Sequence, residues 1–148
     1  MTPEKASIEA EKICTLAPVI PVLVVNDPTI AQPLAKALVA GGLPALEVTL
    51  RTPAALEVIA EMAKVEGGVV GAGTLLNPKD VTDAIAAGAK FGVSPGATDT
   101  LLTTCEAADL PLLPGAATST EVMLLLERGY RVQKLDRKST RLNSSHQI

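Results

Sequence analysis

Three stretches of this chain begin with the same punctuation, a side-chain oxygen followed by proline: Asp27-Pro28, Thr52-Pro53 and Asn77-Pro78. That pair suits a helix start, because the oxygen accepts a free N–H of the first turn and proline has no N–H to leave unpaired. The patterns that follow, PTIAQPLAKALVAGG, PAALEVIAEMAKVEGG and PKDVTDAIAAGA, each run out near glycine, as does EVMLLLERG behind Thr118 or Ser119. A further helix is predicted over 4–15. Between the helices lie short apolar runs that predict strands at 19–25, 45–50, 69–71, 91–93, 112–113 and 131–134. Strand and helix alternate with no hairpin signal, which implies parallel strands joined by crossover helices. Two layouts satisfy this, a doubly wound sheet and a barrel.

The second predicted strand favours the barrel. Glu47, Thr49 and Arg51 alternate with Leu46, Val48 and Leu50, so one face is polar throughout. A doubly wound sheet is covered by helices on both sides and reads as continuously apolar. In a barrel, polar groups gather toward the carboxyl ends of the strands, where active sites form. The later strands run into GAGT, SPG, PG and finally Lys134, all residue types with possible work at such a rim.

Composition narrows the class. The chain has 148 residues, one domain by length, with 47% hydrophobic and 20% charged residues, one Phe, one Tyr and no Trp. Its core must be built from Val, Leu, Ile and Ala, as repeated β/α units require. A net charge of −3 does not recruit nucleic acid. The longest apolar stretch, LAPVIPVLVV, is too short to span a bilayer and holds two prolines, and the charged N-terminus lacks a signal-peptide core. No membrane association and a cytoplasmic location are expected. Cys14 and Cys105 lie far apart with no C-x-x-C spacing, and are expected to be reduced, buried, inert thiols.

The single histidine, His146, sits in a polar terminal segment that has none of the preceding rhythm. Without it there is no Ser-His-Asp triad and no imidazole metal ligand, so chemistry must come from carboxylates, lysine, Tyr130 or cysteine. Lys134 is the sharpest candidate. A lysine is a poor nucleophile while its pKa stays near about 10.4, but enclosure in an apolar barrel lowers it and permits imine formation with a ketone. Glu47, mid-strand between Leu46 and Val48, is costly there unless used or paired, and Arg51 on the same face is its candidate partner. Arg51 also offers a planar fork for a carboxylate. GAGT lacks a third glycine and is a weak phosphate loop, although it permits close backbone approach.

The segments PVIPVLVV, AKALVAGGLPALEVTLRT, VGAGTLLNP, FGVSPG and PLLPGAATSTEVMLLLERGY, in this order, closely resemble the 2-keto-3-deoxy-6-phosphogluconate (KDPG) and 4-hydroxy-2-oxoglutarate (KHG) aldolases. The resemblance covers about residues 8 to 134. It implies an α/β chain of the (β/α)8 TIM-barrel family that cleaves its substrate to pyruvate and glyceraldehyde 3-phosphate through a lysine imine, with no metal or other cofactor. It places Lys134 on the imine lysine and Glu47 on the general acid–base. Arg51 and Thr74 fall on residues that hold the pyruvate portion, and Pro95 on one that lines the same pocket. A small keto acid is the implied partner, and a homotrimer the implied assembly of the intact protein.

The likeness stops after Lys134. Leu135 stands where the family has phenylalanine, and DRKSTRLNSSH, residues 136–146, resembles the in-frame translation of a common DNA sequencing-library adapter, with Gln147 and Ile148 left for an index. The expectation is a family segment over 1–135, an incomplete barrel ending at its sixth strand, and a foreign tail over 136–148. Two other readings are an inactive half-barrel that serves only as an interaction module, and a sugar-phosphate isomerase or epimerase, which would need a different base and no imine lysine.

Overall fold

A computed structural model describes residues 1–136. The expected tail from 137 onward, with His146, lies outside the described residues. Helix α1 (Pro3–Cys14) is capped by Thr2, whose hydroxyl accepts from the Lys5 N–H, and it leads into strand β1 (Val22–Leu23). Asp27 caps a 3-10 turn (Pro28–Ile30) that passes directly into α2 (Ala31–Ala40). Then follow β2 (Ala45–Thr49), α3 (Ala55–Met62), β3 (Val69–Gly73), α4 (Pro78–Ala86), β4 (Gly92–Val93) and α5 (Asp99–Ala107). The described chain closes with β5 (Leu112–Leu113), β6 (Gly115–Ala116), α6 (Ser119–Arg128) and β7 (Lys134–Leu135).

Strands β1 to β5 form one parallel sheet in the order β1-β2-β3-β4-β5. Parallel strands in sequential order, joined by right-handed crossovers, send every helix to the same side; a doubly wound sheet reverses its order partway. The arc is therefore barrel wall, as the polar face of β2 implies. The predicted fifth strand is broken at Pro114 into β5, which pairs with β4, and β6, which pairs with β7. The Pro114 carbonyl still accepts from the Lys134 N–H at 2.9 Å, so six wall strands follow one another.

Two apolar layers flank this wall. Leu46 and Val48 of β2, with Val70 and Ala72 of β3, join Val58, Ile59, Met62, Val81 and Leu102 beneath the helices. On the concave side Ala45, Phe91, Val93 and Leu113 meet Ala10 and Ile13 of α1, which plugs the end opposite the strands' carboxyl termini. Glu47 and Thr49 share this concave face and are 5% and 1% exposed.

Four local readings need correction. The strand predicted over 19–25 shortens to Val22–Leu23, since Pro18 and Pro21 have no N–H and β2 is its one strand neighbour among the described residues. Thr52 does not cap α3, which starts at Ala55 without a side-chain cap; its hydroxyl donates instead to the Val25 carbonyl at 3.0 Å, tying two strand ends together. The last strand starts at Lys134 rather than 131, because the Arg131 and Val132 N–H groups donate to Ser7 Oγ of α1 at 2.9 and 3.0 Å. Cys14 is half-buried rather than buried, while Cys105 is fully enclosed; both are free thiols.

Candidate active site

Strand alternation puts Glu47 inside the wall. Leu46 and Val48 are drawn to the helix layer with no exposed surface, so the residues between and after them must face inward. Register then sets their neighbours: Glu47 lies opposite Gly71 and Thr49 opposite Gly73. The Thr49 hydroxyl donates to the Leu23 carbonyl of β1 at 3.3 Å, closing that side.

At the other end of the arc Lys134 opens β7, and its Nζ lies 4.0 Å from Glu47 Oε1. The glutamate side chain is nearly enclosed, whereas that of Lys134 is half-buried. Burial pushes the Glu47 carboxyl above the usual carboxylate range, and the positive charges of Lys134 and then Arg51 offset this in part. The outcome is a carboxyl poised to exchange a proton, beside an amine.

The ion-pair partner of Glu47 is thus Lys134 and not Arg51, which belongs to the exposed turn after β2 and, among the described residues, acts on the carboxylate through its field alone. Thr74 follows β3 and is half-buried, with φ of 64° in the left-handed region. For a β-branched residue that conformation is unusual and costs about 1–3 kcal/mol, a strain that collects at functional sites. The Leu75 N–H bonds the Val93 carbonyl at 3.1 Å and turns the chain back to β4 beyond it. Pro95 is exposed just past β4. Arg51, Thr74 and Pro95 thus each follow the carboxyl end of a wall strand, and of the five sequence-predicted residues the structure brings Glu47 and Lys134 together as an ion pair.

The remaining candidates lie elsewhere. Tyr130 is fully buried and donates its phenol to Glu106 at 3.0 Å, and burial pushes its pKa up. Burial likewise pushes the Cys105 thiol up to about 12, which leaves no useful thiolate at neutral pH. Among the described residues no cluster of three or more His, Cys, Asp or Glu is placed to hold a metal ion. No helix among them is long and apolar enough to cross a membrane.

Two further residues, in SPG and PG, are marked in the sequence as strand ends but not by their partners. Ser94, at the end of β4, is fully buried, and its hydroxyl has no hydrogen-bond partner among the described residues. Gly115 has its α-carbon against the Ser94 and Pro95 carbonyls, where a side chain would collide with backbone. SPG and PG mark strand ends, but these contacts arise between strands.

Comparison with known proteins points to one family. The KDPG and KHG aldolase family model matches residues 10–138. The 2-dehydro-3-deoxy-phosphogluconate aldolase of Zymomonas mobilis subsp. mobilis is 53% identical over 121 residues, and the KHG/KDPG aldolase of Escherichia coli (strain K12) 48% identical over 123; each match takes in 82% of this chain and 58% of the relative. The chain thus spans less than two thirds of the length of these relatives. Among solved structures, KDPG aldolase from Legionella pneumophila, with pyruvate captured at low pH as a covalent carbinolamine intermediate, superposes with a TM-score of 0.80 at 41% identity, over 86% of this chain and 62% of that one. The Zymomonas mobilis ZM4 enzyme with 3-phosphoglycerate gives 0.80 at 52% identity, over 83% and 59%. A family match that runs through every described strand, on a wall that brings a buried glutamate to a lysine, leaves one conclusion: the chain belongs to the KDPG and KHG aldolase family.

Proposed function

We propose that the intact protein from which this sequence comes is a class I aldolase that cleaves 2-keto-3-deoxy-6-phosphogluconate to pyruvate and glyceraldehyde 3-phosphate. The observation that carries the reading is the 4.0 Å approach of Lys134 Nζ to the enclosed Glu47 carboxylate. In this mechanism the free amine of Lys134 adds to the C2 ketone, and loss of water gives a protonated imine. Glu47, through a water, takes the proton of the C4 hydroxyl. As the C3–C4 bond breaks, C4 leaves as the aldehyde and the electron pair moves through C3 into the imine nitrogen, giving an enamine. Protonation at C3 and hydrolysis release pyruvate and return the amine. Arg51 pairs with the substrate carboxylate as a planar fork, Thr74 donates its hydroxyl beside it, and Pro95 lines the pocket. No step calls for a metal.

The relatives with 3-phosphoglycerate and with trapped pyruvate support a small phosphorylated keto acid as the substrate class. Residues 136–148 are read as foreign, and the parent protein as a homotrimer. The test is a coupled assay of pyruvate release by the intact parent, with and without EDTA. Cleavage that EDTA leaves unchanged and Lys134→Ala abolishes is the expected result; cleavage that survives Lys134→Ala sinks the reading.

A further inference from the structure

The inward face of β3 has almost no side chains. Val70 and Ala72 turn to the helices, and the positions facing inward after Val69 are Gly71 and Gly73. A β-carbon at 71 would meet the ring of Phe91 at 2.5 Å. One at 73 would overlap Glu47 Oε1 and lie 2.8 Å from its Cγ and 2.9 Å from its Cδ. Such separations are shorter than packed carbon atoms tolerate. Gly73 does not sit in the left-handed region, so its backbone would accept alanine. What excludes a side chain there is the carboxyl of Glu47.

Little else fixes that carboxyl. Among the described residues no side-chain hydrogen bond reaches it, and its one ion pair, with Lys134, is 4.0 Å long. Thr49, the next inward residue of β2, has its hydroxyl committed to Leu23. We infer that Gly73 is a positioning residue: its bare α-carbon seats the Glu47 carboxyl beside Lys134, where a water can carry a proton between the carboxyl and a substrate held on the amine. The inference rests on the aldolase reading for its catalytic half, while the steric seat stands on geometry alone. It also gives GAGT a purpose that its sequence does not reveal, since the group that approaches the glycine is a side chain from the neighbouring strand rather than a phosphate.

A double-mutant cycle in the intact parent separates the seat from general damage to the fold. Gly73→Ala is expected to lower kcat by about tenfold to a hundredfold, the scale of a misplacement near 1 Å. Added to Glu47→Gln, which already lacks the base, it should cost nothing further. The thermal midpoint gives a second cycle that needs no catalysis: Gly73→Ala lowers it in the parent, and much less in Glu47→Ala, where the collision is gone. This arm still reads if Gly73→Ala alone fails to fold. The inference is overturned if Gly73→Ala keeps kcat within about twofold of the parent, if its loss multiplies with that of Glu47→Gln, or if Glu47→Ala does not relieve the loss of stability. A parent with no aldolase activity is a separate failure, of the aldolase reading, and removes the catalytic role of Gly73 with it.

Discussion

Glu47 is where stability and function oppose each other. Its carboxyl is held above the ordinary range because burial penalises the charge more than Lys134 and Arg51 offset it. A carboxyl raised on folding favours the neutral form, so the folded state is most favoured below the unfolded pKa, near about 4.3, and loses that advantage as pH rises through the folded value. Above both values the protein bears the cost of a buried anion. Glu47→Gln should therefore raise the thermal midpoint at pH 7, with the difference shrinking toward zero below about pH 4. On the proposed mechanism activity has the opposite sign, because the base is the ionised form: the acid limb of kcat should lie above the usual carboxylate range, and Glu47→Gln should cut turnover to a low but measurable residual rate while stabilising the fold. Scanning calorimetry across pH, beside a pH–rate profile, checks both. A variant less stable than its parent at pH 7 would contradict the burial account.

At the scale of elements, local signals were legible and cross-strand ones were not. Asn77 caps α4 by accepting the Asp80 N–H. Thr118 caps α6, and Glu121 returns its carboxylate to the Thr118 N–H at 2.8 Å, while Gly129 ends the helix in the left-handed region. These contacts span three or four residues, so the sequence displays them. Thr52 looks like the same signal, but its partner is Val25, 27 residues away. The start of α5 at Thr98 bears no such mark, although its hydroxyl accepts from the Leu101 N–H; GATDT offers no proline or apolar rhythm. Likewise Glu47 stood out as a carboxylate in an apolar strand, yet its contact with Gly73 follows from register between β2 and β3. Thr118→Ala should cost about 1 kcal/mol, the usual loss for a cap of this type, measured by urea unfolding; a change near zero would mean that α6 is held by packing alone.

At the scale of the molecule, the described strands form an open arc. Among the described residues β1 pairs with β2 alone and β7 with β6 alone. Val22 and Val24 beside one edge, and Leu135 at the other, are more than half exposed, as are Met123 and Leu124 of α6. Lys134 thus has wall on one side only, and the apolar surface around it favours association. The 148-residue chain alone is expected to cleave 2-keto-3-deoxy-6-phosphogluconate at least about a hundredfold more slowly than the intact parent, with the reacting groups no longer held by a closed wall. Comparable rates from a soluble monomer would mean that closure is not needed. The central claim, that Lys134 forms the imine beside Glu47, is tested most directly by treating the intact parent with pyruvate and borohydride and locating the adduct by peptide mass spectrometry. The account predicts one reduced pyruvate adduct, on Lys134; an adduct on another lysine, or none, would contradict it.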